Sequence, residues 1–268
     1  MSAIVSVVIP TYQREGLTLR AVNSVTTSSP DQVEVVVVDD AGQQPFDFPQ
    51  RFNTATVPVR VHRLKQNSGP GVARKEGVLQ ATGKIVAFLD SDDEFSDFWV
   101  DELLKLDAAG QFDRAGGVMI VGGVGNPQVA PRWVLAVLRL IPGRPRLLVS
   151  RLITVFFNPF YTPSVAITRG SVKFHDNLRF CEDYYMVAVS LFNVEALILP
   201  RVIACKLGRE PNSAGGASEH RELMRSGEIA ARRAILETRD LPAWFTALAP
   251  LGTLYQKGRE RLKAALHG

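Results

Sequence analysis

The stretch IVAFLDSDDEF (residues 85–95) carries the pattern that decides the fold. Ile85–Leu89 is apolar at every position, as in a strand buried on both faces of a parallel sheet. DSDDE (90–94) follows at once, with four carboxylates in five residues. The same device recurs towards the N-terminus. Ile4–Ile9 runs into PTYQR (10–14), Val33–Val38 runs into Asp39-Asp40, and the alternating Val59–Leu64 leads to Asn67-Ser68-Gly69-Pro70-Gly71. Between these segments the apolar residues change to helical spacing, at Leu17, Ala21, Val22 and Val25, over Gly71–Ala81 with Gly83 placed to stop it, and over Phe98–Leu106. Gly116–Val124 reads as a further strand. The alternation predicts an α/β fold, an open and mostly parallel sheet with helices on both faces. Ligands bind beyond the carboxyl ends of such strands, so the four polar segments are expected on one rim.

The second half is less regular. Trp133–Ile141 and Leu147–Phe157 read as two short amphipathic helices carrying Arg, split by Pro142 and Pro145. Ser164–Thr168 and Ala196–Lys206 are strand-like, and Tyr184–Phe192 is helical. Glu210–Ser218 (EPNSAGGAS) has loop composition, and mixed charge at helical spacing runs from Glu219 to the end.

With 268 residues, 46% hydrophobic and 22% charged, the chain has globular proportions, which excludes collagen-like or wholly disordered classes. Two cysteines, Cys181 and Cys205, exclude a disulfide scaffold and a paired-cysteine zinc site, and point to a reducing compartment. Ile4–Ile9 is too short for a signal-peptide core. No run reaches the ~18 apolar residues of a membrane span, so the expected location is cytoplasmic, with peripheral contact at the inner membrane face left open. Between Asp113 and Asp176 there is no acidic residue but eight basic ones: Arg114, Arg132, Arg139, Arg144, Arg146, Arg151, Arg169 and Lys173. That segment is therefore +8 and the rest of the chain −4, within a net charge of +4. Helices that join Arg to Trp, Leu and Phe suit an anionic lipid surface, or else simply cover the domain with packed Arg stems. The acidic rim argues against a nucleic-acid partner.

Each polar segment has a bland and a sharp reading. DSDDE either caps a helix starting near Phe95 or supplies hard oxygen ligands to Mg²⁺ or Mn²⁺; its place after an apolar strand and beside Asp40 favours the metal. Asp39-Asp40 suits a magnesium site, a nucleoside hydrogen bond or a turn. Asn67 and Gly69 offer an amide and a bare backbone, and Arg74 a group for phosphate. Neither GxGxxG nor GxxxxGK[ST] is present. Glu182-Asp183 opens a helix, either as a dipole-complementing first turn or as a general base. The four His residues show no ligand spacing, and Cys181 reads as packing.

The ordered set IVSVVIPTYQR, VEVVVVDD, NSGPGVARKEG, IVAFLDSDDEF and, further on, CEDY (181–184) resembles the family 2 glycosyltransferases of the GT-A fold, closely over residues 1–100 and more loosely over 160–210. The resemblance implies inverting transfer from a nucleotide-diphosphate sugar, foremost a UDP-sugar, to a glycan or polyprenyl-linked acceptor, assisted by Mn²⁺ or Mg²⁺, in polysaccharide or glycoconjugate biosynthesis. It implies a donor half (1–125), an acceptor half (126–215) and a C-terminal helical extension (216–268). Pro10, Thr11, Tyr12 and Arg14 would line the nucleoside pocket. Asp40 would hydrogen-bond the base with Asp39 beside it, Asn67, Gly69 and Arg74 would hold the nucleotide, and Asp90 with Ser91 the ribose side. Asp92 and Asp93 would ligate the metal. Asp183 would be the catalytic base, with Glu182 beside it. Three positions depart from the common pattern: Ala41-Gly42 stands where Gly-Ser often follows the aspartates, Lys75 where Asn often follows Arg, and Gln13 where Asn is common. The alternatives are a nucleotidyltransferase, disfavoured by PTYQRE where a Gly-rich basic loop belongs, and a non-catalytic nucleotide-sugar-binding protein.

Overall fold

The computed structural model describes residues 3–43, 55–124, 140–141, 143–158, 160–206, 221–238 and 241–267. The expected helix over Trp133–Ile141 falls almost wholly outside these residues, and the loop at Glu210–Ser218 falls outside entirely.

Eight described strands form one sheet: β1 (Val5–Thr11), β2 (Val33–Asp39), β3 (Val59–Arg63), β4 (Ile85–Phe88), β5 (Glu94–Phe95), β6 (Val118–Val124), β7 (Val165–Thr168) and β8 (Glu195–Lys206), in the order β3-β2-β1-β4-β7-β6-β8-β5. The pairs β1–β2, β1–β4, β2–β3 and β6–β8 are parallel, whereas β4–β7, β6–β7 and β5–β8 are antiparallel. The fold is therefore α/β with a mostly parallel sheet, as the periodicity predicts. The antiparallel insertion of β7 between β4 and β6 is an addition that periodicity does not carry.

Seven helices complete the described architecture: α1 (Glu15–Asn23), α2 (Pro70–Gln80), α3 (Trp99–Ala108), α4 (Gly143–Thr154), α5 (Glu182–Asn193), α6 (Arg221–Glu237) and α7 (Ala243–His267). One face of the sheet, with Val5, Val7 and Ile9, packs on Ala21 and Val22 of α1 and on Trp99, Val100 and Leu103 of α3. The other, with Val8, Val36 and Val38, packs on Ala73 of α2, Ile153 of α4, and Met186, Val187 and Leu191 of α5. A third apolar cluster lies outside α5, where Tyr184 and Ala188 meet Ala231 and Ile235 of α6 and Phe245 of α7. The helix α5 is thus buried on two sides, and the sheet runs unbroken between the regions expected as donor and acceptor halves.

Two local expectations are corrected. Gly83 does not stop α2, which ends at Ala81 in extended backbone. Gly83 lies against β1 instead: a Cβ there would stand 2.7 Å from Ser6 Oγ, and its N–H donates to that oxygen at 2.9 Å. The strand expected from Gly116 begins at Val118, because Gly116 and Gly117 turn with φ of 86° and 89°.

Candidate active site

The row Thr11, Asp39 and Arg63 is in register across β1, β2 and β3, so these residues end their strands at one level. Asp39, 1% exposed, accepts from Arg63 Nη1 at 2.5 Å and from Gly42 N at 3.0 Å, while Arg63 Nη2 donates to Gly42 O at 2.6 Å. Asp39 therefore closes the turn after β2. Asp40 takes the next step along the rim. Its carboxylate accepts from the backbone N–H of Ser68 at 2.7 Å and of Gly69 at 2.8 Å. Burial raises its pKa above the ordinary carboxylate value despite these donors. Asn67 donates to Asp40 O at 3.3 Å and accepts from Arg179 Nη2 at 2.6 Å.

Behind Gly69, α2 lies so close to its neighbours that side chains would not fit. A Cβ on Gly77 would overlap Val8, and one on Gly71 would stand 2.5 Å from Glu182 Cγ. Gly71, Arg74 and Gly77 recur every three residues, so one stripe of the helix faces inward. Arg74 is buried there, with 7% of its side chain exposed. Nη2 donates to Asp90 Oδ1 at 2.5 Å and Nη1 to Glu182 Oε1. Nε is buried without a hydrogen-bond partner. Burial alone would lower the pKa of Arg74, but Asp90, Glu182 and Asp183 overcome it and hold the guanidinium charged. This one cation joins DSDDE, 16 residues along the chain, to CEDY, 108 residues along it.

The turn after β4 carries Asp90, Ser91, Asp92 and Asp93. Ser91 and Asp93 are buried, and Asp93 N donates to Asp90 O at 3.0 Å. Asp92 pairs with Arg14 at 2.9 Å, each about a quarter exposed, which fastens the loop after β1 to this turn. Thr11 is buried and its hydroxyl lies 2.6 Å from that of Thr18 on α1, whereas Tyr12 is 42% exposed at the rim. Pro10 is buried within β1.

Glu182 and Asp183 start α5. Burial, the largest cause, and neighbouring carboxylates raise both acids' pKa values; Arg74 opposes without cancelling. Asp183 is half-buried and accepts through Oδ2 from Asn158 Nδ2 at 3.3 Å and Thr162 Oγ1 at 3.4 Å. Both donors precede β7, whose antiparallel course brings its N-terminal end to the carboxyl end of β4.

Sequence reasoning missed three residues. Asn158 and Thr162 belong to no motif. Tyr161, 36% exposed, stands in the combined field of Asp90, Asp93, Asp92 and Asp183, and burial with that field drives its phenol pKa upward. A neutral phenol is thus set among the carboxylates of both motifs. Three described non-glycine residues have left-handed backbone: Gln13 (φ 53°), Ala41 (φ 54°) and Cys181 (φ 57°). They occupy the loops after β1 and β2 and before α5, so backbone strain is gathered at the site. Cys181 packs as expected, with Sγ 3.5 Å from Met224 O, and both cysteines are free.

Among the described residues no three His, Cys, Asp or Glu side chains converge as ligands for a metal. A cation held by Asp92 and Asp93 would complete its shell with water and diphosphate oxygens, a hard-oxygen set that Mg²⁺ and Mn²⁺ accept, so the residues fit such an ion.

Known proteins resemble the chain in sequence and in fold. The sequence profile described as Glycosyl transferase family 2 matches residues 6–163. An uncharacterized glycosyltransferase of Rickettsia bellii (strain RML369-C) is 36% identical over 94 residues, 35% of this chain but only 13% of that protein. The S. aureus TarS 1–349 structure in complex with UDP-GlcNAc superposes with a TM-score of 0.63 at 21% identity, over 93% of this chain and 71% of that one. The Pyrobaculum calidifontis mannosyltransferase PcManGT, in complex with GDP-Man and Mn²⁺, gives 0.62 at 16% identity, over 99% and 81%. At these identities the two structures show a shared fold.

Proposed function

The chain belongs to glycosyl transferase family 2, and from that premise we propose that it transfers a sugar, with inversion, from a nucleotide-diphosphate donor to a hydroxyl of a glycan or polyprenyl-linked acceptor. A single observation carries the reading: Arg74 bridges Asp90 and Glu182, so the acidic turn after β4 and the acidic start of α5 lie side by side.

The donor would lie along residues 1–125. Tyr12 offers an exposed ring for the base, and Asp40 fixes the Asn67–Gly69 loop against which the nucleotide rests. Asp90 and Ser91 face the ribose, Arg14 stands beside the diphosphate path, and Asp92 with Asp93 would hold Mn²⁺ or Mg²⁺. When bound, that ion neutralises the charge developing on the departing diphosphate. A UDP-sugar is the foremost donor; the TarS and PcManGT complexes, with UDP-GlcNAc and GDP-Man, support the nucleotide-sugar class. From the acceptor side, residues 126–215, Asp183 removes the proton of the attacking hydroxyl. Its raised pKa makes it a stronger base than an ordinary carboxylate, and Asn158 and Thr162 hold Oδ2 in place. Orientation of the two sugars supplies much of the remaining acceleration.

Asp183→Asn tests this directly. Transfer in a screen of UDP-, GDP- and dTDP-sugars with Mn²⁺ or Mg²⁺ should fall by about 10²–10⁴-fold, while nucleotide binding by calorimetry stays unchanged. A variant as active as the parent would refute the assignment.

Peripheral contact with an anionic membrane is part of the proposal. No described helix is long and apolar enough to cross a membrane. On α4, within the acid-free segment, Leu148 and Leu152 are 54% and 37% exposed, and Leu140 just before it is 82% exposed.

A further inference from the structure

The C-terminal pair α6 and α7 lies outside every motif, yet its contacts with the start of α5 include a buried cation. Arg232 of α6 is 11% exposed. Its Nη1 donates to Val155 O at 2.5 Å and its Nη2 to Phe156 O. Its guanidinium lies 5.4 Å from the centre of the Tyr184 ring, and its Nε is buried without a hydrogen-bond partner. Glu228, one turn earlier on α6, is 3.7 Å away.

The two accepting carbonyls follow immediately on the last residue of α4, Thr154. Carbonyls at a helix end have no partner within the helix, so something else must satisfy them. Tyr184, the residue after Asp183, completes the same cap: its hydroxyl donates to Thr154 O at 2.5 Å. From α7, Gly252 closes over Val155, where any Cβ would overlap the carbonyl oxygen. Three residues beyond Val155 comes Asn158, and Thr162 follows, the two groups that donate to Asp183 Oδ2.

We infer that Arg232 is a positioning residue for transfer: by capping the end of α4 against Tyr184 it sets the course of residues 155–158 and the placement of Thr162, and so the two hydrogen bonds that orient Asp183. The inference rests on Asp183 being the general base. Arg232 touches no reacting atom and acts through Asn158 and Thr162. Its planar fork suits two neighbouring carbonyls and an aromatic face at once, a task a point charge performs only in part.

The test uses the full chain with Arg232→Met and Arg232→Lys. In Arg232→Met, amide hydrogen exchange over residues 155–163 should quicken by about tenfold while the strands keep their protection. With acceptor saturating, kcat should fall by about tenfold or more at unchanged donor KM. The acid limb of the kcat–pH profile should move up, because a carboxylate that loses its donors binds its proton more tightly. Arg232→Lys should lie between Met and the parent in all three. Exchange at 155–163 equal to that of the parent, or quickened alike throughout the molecule, overturns the inference, as does a quickened segment with unchanged kcat. Should Arg232→Met not fold, Arg232→Lys decides on the same readouts. Exchange requires no turnover, so inactivity of the parent itself would count against the proposed function and leave the capping role to be judged by exchange.

Discussion

Replacing Arg74 by Met keeps much of the volume of a buried side chain and removes the charge that three carboxylates share. Asp90, with 26% of its side chain exposed, recovers water and adds little to the loss. Glu182, at 7%, does not, and stripping one partner from a buried pair costs about 3–5 kcal/mol. That cost depends on pH. In the parent, burial and neighbouring acids already lift Glu182 from 4.5 to about 7, so its folded form holds a proton that the unfolded chain releases, and stability declines as pH rises between those values. Without Arg74 the folded value climbs further. The contribution of Glu182 is then the same in variant and parent below about pH 7, and above it the variant alone keeps losing about 1.4 kcal/mol per pH unit until that acid reaches its own folded pKa. Urea unfolding followed by circular dichroism at pH 6 and pH 8.5 should give a larger ΔΔG at the higher pH, with the same m-value at each. A ΔΔG independent of pH, or under about 1 kcal/mol at pH 8.5, would refute the view that Arg74 is the counter-charge of this cluster.

The same shifts predict that kcat for transfer rises with pH through a limb above the ordinary carboxylate range, because Asp183 must lose its proton to act and burial delays that loss; a limb at or below 3.8 in initial-rate measurements would contradict it. Ala41→Gly should raise stability by about 0.5–1 kcal/mol and Tm by about 2–4 °C per kcal/mol, since relief of a left-handed alanine at φ 54° outweighs the extra chain entropy; calorimetry showing a lower Tm would sink this. The pair Leu148→Glu and Leu152→Glu should abolish co-sedimentation with anionic vesicles and leave transfer to a soluble acceptor untouched, whereas unchanged sedimentation would remove α4 from the membrane proposal.

Strands β1, β2 and β4 were legible because burial on both faces demands nearly unbroken apolar runs, β3 because its valines alternate with polar residues, and the change to helical spacing placed α1 to α3 and α5. The polar tips of those strands were legible for the same reason: a residue such as Asp39 or Asp90 can follow an apolar run only where the strand leaves the core. Gln13 and Ala41 also acquire a meaning. Each sits in left-handed backbone, where Asn or Gly would be less strained, so both departures from the common family pattern fall at strained positions. Gly83 was misread because a glycine after a helix suggests a stop, while the real constraint, contact with Ser6 of β1, comes from a strand 77 residues away in the chain.

By itself the sequence determined the α/β class, the rim and the motifs on it, because periodicity and strand termination are properties of neighbouring residues. Only the tertiary structure decided that Arg74 bridges Asp90 and Glu182, that Asn158 and Thr162 serve Asp183, and that Arg232 reaches Val155. Those contacts join residues 16 to 108 positions apart, and each depends on how closely helices approach the sheet and one another, a distance set by packing at Gly71, Gly77 and Gly252 rather than by any local pattern.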